Sequence, residues 1–134
     1  MRHGTWAALR QLALPLRIEV FVQEQGVPED IEEDEFDALA QHVVICTNLG
    51  HAIATGRLLP DGRIGRLAVR RDYRACGFGK LIMTELMAIA QKLGYEHLVL
   101  HARCEAQGFY ESYGFKVIGE PFLEAGSPHI LMQR

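Results

Sequence analysis

IGRLAVRRDYRACGFGK, residues 64–80, is the stretch from which the rest of the chain is read. It opens as an apolar strand over 64–69. A basic turn follows, and then a long helix entered across two glycines. Arg74, Gly77 and Gly79 fall in the order R-x-x-G-x-G. Glycine at 77 and 79 removes two Cβ atoms where the helix begins. The first N–H groups of a helix lack intrahelical acceptors and carry the positive end of its dipole. With Arg70, Arg71, Arg74 and Lys80 around them, they suit a phosphate-bearing ligand.

Two familiar phosphate loops do not fit. Counting back from Gly79-Lys80, the first glycine of G-x-x-x-x-G-K-[ST] is Arg74, and Leu81 follows the lysine. The dinucleotide pattern G-x-G-x-x-G fails because Ile82 stands where its third glycine belongs.

Outward from that stretch, the 134 residues are read as one domain, 1–134, with one core. Hydrophobic residues make up 49% and charged residues 23%, a globular balance. A net charge of −3 gives no basic footprint for nucleic acid. No apolar run is long enough to span a membrane, and the N-terminus does not read as a signal peptide. Three cysteines without a C-x-x-C point to a reducing, cytoplasmic setting.

Residues 5–22 read as helical, with Thr5 as cap and Trp6, Leu9 and Leu12 or Ala13 at helical spacing. Pro15 should kink this helix or start a second one. Residues 29–37, EDIEEDEFD, hold seven carboxylates in nine positions. Such a run is expected to stay solvated as a loop. Alternatively, it collects a cationic amine. From residue 42 the pattern becomes β: HVVICTN, then HAIATGRLL, then 64–69, joined by turns at Asn48-Leu49-Gly50 and Pro60-Asp61-Gly62. Gly56 and Gly65 mark candidate bulges.

The helix over 78–93 should bury Ile82, Leu86, Ile89 and Leu93 and end at Gly94. HLVLHA, 97–102, reads as a mostly buried strand parallel to the one before the helix. A short helix over 104–113, a strand over 115–118, a PFLEAGSP loop and a last strand HILMQR complete the chain.

R-x-x-G-x-G between strand and helix resembles the acetyl-CoA pyrophosphate loop of the GCN5-related N-acetyltransferase (GNAT) family. The element order and the FYESYGF stretch at 109–115 resemble that family too. The N-terminal LRIEVFVQEQGVP, with EEDEFD and His42, resembles a bacterial branch of uncharacterised members. GSPHILM is shared with that branch and is similar to the ending of glyphosate N-acetyltransferase. One feature departs from the family: residues 1–4 look too short for its usual opening strand, which is then absent or supplied by a partner chain.

The resemblance implies an α/β (α+β) GNAT fold. Its mixed central sheet carries an antiparallel meander, a parallel fourth and fifth strand that splay apart, and flanking helices. It implies an acetyl-CoA-dependent N-acetyltransferase that needs no metal and acts on a small-molecule amine. A homodimer is expected from the resemblance and from the missing edge strand. Residues 74–80 (Arg74, Ala75, Cys76, Gly77, Phe78, Gly79, Lys80) would hold the pyrophosphate. Leu67, Ala68 and Val69 would offer backbone groups to the pantetheine arm and the thioester oxygen.

Tyr110 matches the tyrosine that protonates the departing sulfur, and His129 matches the histidine base of the glyphosate enzyme. A phenol is a usable acid toward a thiolate. An imidazole titrates near neutral pH, which suits it to take a proton from an ammonium. Glu24 and His42 are the other candidates for the base. Arg103 could serve cofactor or acceptor. His97, His101 and Cys104 are too far apart along a strand for one metal ion. The competing function is a non-catalytic acyl-CoA-binding or interaction module. A nucleotide-binding regulator would need a base- or ribose-binding motif that is not found.

Overall fold

The computed structural model describes residues 1–134, apart from the side chain of Ile31. The β-branched run after residue 40 forms β2 (Gln41–Cys46), and two tight turns return the chain as β3 (Ala52–Leu58) and β4 (Arg63–Val69). β2, β3 and β4 are antiparallel neighbours. Gly50 and Gly62 take positive φ in those turns. A Cβ at Gly62 would sit 2.2 Å from the His97 carbonyl oxygen, so only glycine fits there.

The expectation of an absent or borrowed first strand is corrected. Residues Arg2–Gly4 form β1 and pair antiparallel with β2, Arg2 opposite Val44 and Gly4 opposite His42. Three residues suffice because β2 already presents an ordered edge. The ground for a homodimer that rested on this gap is removed.

Thr5 then caps α1 (Trp6–Arg17), its Oγ1 accepting from the Ala8 N–H at 3.3 Å. Pro15 neither ends the helix nor starts another. The α-helix runs through it and widens into a π-helical segment, Ile18–Glu24. Leu9, Ala13, Leu16 and Val20 keep one buried face along both pieces.

The acidic run is also corrected. Glu32 is only 2% exposed and Asp37 0%. Arg17 donates from Nε to Glu32 Oε1 and from Nη1 to Asp37 Oδ1, both at 2.8 Å. Arg57 Nη1 reaches Asp34 at 2.7 Å and Asp37 at 2.8 Å. Arg66 Nε lies 3.3 Å from Glu32 Oε1, and the Trp6 ring covers the Arg17 guanidinium at 4.8 Å. A carboxylate can leave water when buried guanidinium groups meet it bidentately. The amine-collector reading loses its free charges at Glu32, Asp34 and Asp37.

Burial alone would raise the Asp37 carboxyl. The hydrogen bonds and charge of Arg17, the Asp34 N–H and Arg57 outweigh it and hold the group at about 2. At Glu32 burial wins and the carboxyl is pushed up. At His42 burial lowers the imidazole. A depressed carboxyl contributes stability that is whole above its unfolded value and is lost as pH falls through its folded value. Asp37 therefore adds about 2 kcal/mol above pH 4, and this fades toward pH 2. His42 acts in the same direction at milder pH, and Glu32 acts against it. Urea titrations should show a steep fall in stability between pH 4 and 2, and a flat profile there would contradict the cluster's role.

α2 (Phe78–Lys92) lies across β2, β3 and β4. It buries Ile82, Met83, Leu86 and Ala90. Leu93, expected in that stripe, is 51% exposed because the helix stops before it and Gly94 turns the chain away. Gly56 allows the close approach of helix and sheet, since a Cβ there would lie 2.7 Å from Ile82 Cγ2. It sits at a β3–β4 register shift between Thr55 and Arg57, where β4 carries Arg66, at φ +52°, and Leu67 against the single residue Gly56.

β5 (Val99–Arg103) alternates between buried and half-buried residues, with Leu100 and Ala102 facing the core. The expected helix over 104–113 is a 3-10 turn, Cys104–Ala106, and a short α3 (Gln107–Glu111). The expected PFLEAGSP loop is instead a hairpin of β6 (Lys116–Glu124) and β7 (Ser127–Gln133). Ala125 (φ +50°) and Gly126 (φ +79°) make its two-residue turn, and positive φ at both positions is what such a turn requires.

Among the described residues, seven strands form one sheet in the order β1-β2-β3-β4-β5-β7-β6. β4 and β5 are parallel and register only at Arg63–Val99 and Ile64–Leu100. Beyond those pairs they part. Among the described residues, no helix is long and apolar enough to cross a membrane.

Candidate active site

The parting of β4 from β5 leaves a cleft of about 720 Å³. Leu67, Ala68, Val69, Arg74, Gly79, Arg103, Tyr110 and His129 all line it. Ala75, Cys76, Gly77, Phe78 and Lys80 do not line it, but carry the chain from Arg74 into α2. Beyond Ile64, the β4 edge that faces β5 has no strand ladder, while its other edge stays registered to β3 at Ala68 and Val69. Unladdered backbone groups at a cleft wall are available to an extended ligand.

At one end of the cleft the turn before α2 holds Ala75 at φ +62° and Gly77 at φ +87°. Gly77 is the N-cap residue, and Leu81 is the residue whose N–H returns to the Gly77 carbonyl, at 3.1 Å. The N–H groups before it have no intrahelical acceptor. At Gly79 a Cβ would lie 3.6 Å from the Phe109 ring and 3.9 Å from Val69 Cγ2, ordinary contact distances, so the packing there does not itself demand glycine. These donors fit a diphosphate. Arg74 does not simply point outward. Its Nε donates to the Val69 carbonyl at 2.9 Å and its Nη2 lies 2.8 Å from Glu24 Oε2.

Tyr110 stands on α3 with its ring edge-on to Phe109. Its hydroxyl has no hydrogen-bond partner among the described residues, and burial pushes it up to about 12. It therefore stays protonated at any working pH.

His129 stands on β7, opposite Arg103 of β5 and Phe122 of β6. Its Nδ1 is 2.8 Å from the Ser127 carbonyl oxygen. A carbonyl only accepts, so Nδ1 carries a hydrogen, and in the neutral ring the lone pair is then on Nε2. Glu124 Oε2 is 3.6 Å from that Nε2. The same carboxylate lies 2.9 Å from His101 Nδ1, and Arg63 Nη2 approaches that nitrogen at 2.9 Å too.

The other two base candidates stand elsewhere. Glu24 is committed to Arg74. His42 is buried against Trp6, donates from Nε2 to the Asp37 carbonyl at 2.9 Å, and does not line the cleft. Among the described residues, no group of three or more His, Cys, Asp or Glu side chains is arranged to hold a metal ion.

Arg63 and Glu124 are cleft residues that sequence reasoning passed over, and His101, weighed there only as a metal ligand, lines the cleft with them. Period-2 alternation along β5 was the available signal, since it puts His101 and Arg103 on the face opposite Leu100 and Ala102. Nothing comparable marked Glu124, whose position depends on the hairpin.

The family model described as Acetyltransferase (GNAT) domain matches residues 9–134. YjcF of Bacillus subtilis (strain 168), an uncharacterised N-acetyltransferase, is 35% identical over 126 residues, which cover 91% of this chain and 89% of that protein. An acyl-CoA N-acyltransferase from Pseudomonas aeruginosa has a similar structure, with a TM-score of 0.89 and 32% identity, covering 99% of this chain and 97% of that one. Escherichia coli ElaA superposes with a TM-score of 0.88 at 28% identity, again covering 99% and 97%. The mixed seven-stranded sheet with its parting β4 and β5, the glycine turn before α2 and these likenesses agree: the chain belongs to the GNAT acetyltransferase family.

Proposed function

We propose that residues 1–134 form one acetyltransferase domain that moves an acetyl group from acetyl-CoA to a primary amine of a small molecule. The observation that carries this reading is the cleft itself. It opens where β4 and β5 part, next to the N-terminus of α2, with Tyr110 and His129 on its walls. The acyl-CoA N-acyltransferase from Pseudomonas aeruginosa supports the donor class. A cytoplasmic setting suits Cys46, Cys76 and Cys104, all unpaired.

In this reading the N–H groups of residues 75–80 donate to the pyrophosphate oxygens. The open β4 edge at Leu67, Ala68 and Val69 aligns the pantetheine arm and lends an N–H to the thioester oxygen as charge develops there. Acetyl-CoA brings the activated acyl group, and the cleft brings alignment. His129 takes a proton from the incoming ammonium on Nε2, which lies 3.6 Å from the Glu124 carboxylate. Tyr110 supplies an O–H to the sulfur as the C–S bond breaks.

The test is amine-dependent release of free coenzyme A thiol from acetyl-CoA over a panel of primary amines, with the acetylated amine identified by mass. Amine-dependent release is expected. Acetyl-CoA binding without release for any amine would favour a non-catalytic acyl-CoA-binding module.

A further inference from the structure

Two consecutive side chains at the end of the π-helical segment reach to opposite sides of the cleft. Glu24 Oε2 lies 2.8 Å from Arg74 Nη2 and 4.0 Å from Arg71 Nη2, both beyond the end of β4. Gln25 Oε1 accepts at 2.8 Å from Nη1 of Arg103, the last residue of β5. β4 and β5 are the strands that part, so the pair spans the opening between them.

Arg74 is fastened at two points. Nε donates to the Val69 carbonyl, the last of β4, and Nη2 meets Glu24. The chain that follows is strained, with a non-glycine residue, Ala75, at φ +62°. Such a turn persists where its surroundings hold it. The Glu24 side chain is 18% exposed, against 42% for Arg74 and 75% for Arg71, so the carboxylate is sheltered while both guanidinium groups keep access to solvent, Arg74 less than Arg71.

We propose that Glu24 is a positioning residue for the cofactor loop. Through Arg74 it holds the 75–80 turn in the shape that presents its N–H groups. Gln25, through Arg103, ties the β5 side to the same short segment. Arg74 then acts as a bracket between β4, the loop and the π-helical segment, and not as a cation laid against the phosphate. The proposal rests on the acetyl-CoA reading of the cleft, and it gives Glu24 a task other than that of base.

The test is calorimetric titration with coenzyme A of the wild type, Glu24→Ala, Glu24→Gln, Arg74→Gln and the Glu24→Ala/Arg74→Gln double variant, at low and high salt. Glu24→Ala and Arg74→Gln should each weaken binding about tenfold. The double variant should bind about as well as either single one, because both changes break one bracket. Glu24→Gln, whose amide oxygen can still accept, should recover part of the loss. The salt dependence of affinity should be the same in the double variant as in the wild type, since a neutral pair is then removed whole and neither charge touched phosphate.

Melting temperatures without ligand close to wild type would show that the variants fold. Wild-type affinity in Glu24→Ala overturns the proposal. Tighter binding overturns it as well, and means the carboxylate competes with phosphate for Arg74. A shallower salt dependence in the double variant would show direct contact between Arg74 and the ligand and is equally contrary. Failure of the wild type to bind coenzyme A would remove the acetyl-CoA reading itself, whereas normal wild-type binding with an indifferent Glu24→Ala removes the positioning role alone.

Discussion

Replacing Arg17 by methionine should lower the unfolding free energy by about 3–5 kcal/mol. The methionine matches much of the lost volume, so packing is not the main cost. The cost comes from Asp37 and Glu32, which stay buried without the guanidinium that bonds both of them and also the Glu32 carbonyl. Arg57 still reaches Asp37, which sets a ceiling on the loss. For a chain of 134 residues the change corresponds to a fall in melting temperature of roughly 10–20 °C. A triple change that also neutralises both carboxylates with apolar residues should recover much of this, because Arg57, the cation left buried there, keeps its pair with Asp34. A shift of a degree or two in Arg17→Met would mean that the carboxylates find water and that the cluster is not what pins 29–39 to the sheet.

Tyr110→Phe should lower kcat about 100-fold while the affinity for acetyl-CoA stays near the wild-type value. The ring remains to pack on Phe109 and Phe115, and one hydroxyl is removed. Because burial holds that hydroxyl at about 12, its ionisation should leave no mark on the wild-type rate up to about pH 10. Any basic limb below that pH belongs to another group. Equal losses in binding and turnover would make Tyr110 a packing residue. An unchanged kcat would remove it from the chemistry.

Much of the fold could be read because the local signals agreed. The β2–β4 meander follows β-branched runs separated by Asn48-Leu49-Gly50 and Pro60-Asp61-Gly62. The entry to α2 follows from Gly77 and Gly79. The failures share a cause: they depend on residues distant in sequence. Nothing in EDIEEDEFD announces that Arg17 and Arg57 will meet it 15 and 20 residues away. In the last hairpin, Pro121 and Pro128 read as breakers. Yet β6 is an edge strand that tolerates proline. The β7 ladder to β5 begins only at His129, one residue past Pro128. Ala125 at positive φ is also a poor turn signal compared with Asn or Gly.

The candidate site divides along the same line. Tyr110 and His129 stood in stretches whose residue order could be matched to a family. Arg63, His101 and Glu124 come together only once β4, β5, β6 and β7 are assembled. Glu24 was visible as a carboxylate near the end of a helix, but its partner Arg74 comes from the turn before α2, far along the chain. The short N-terminal strand was underestimated because strand length alone does not show whether a neighbouring edge is ready to pair.

The central claim is that the cleft between β4 and β5 holds acetyl-CoA, and the most direct measurement is the melting temperature with and without that ligand. A ligand that binds only the folded state adds about 2.7 kcal/mol at 100 times its dissociation constant, an upward shift of roughly 10 °C in a chain of this length. A shift of that order with acetyl-CoA, and a smaller one with ATP or NAD at the same concentration, is the predicted result. No shift with millimolar acetyl-CoA would contradict the account.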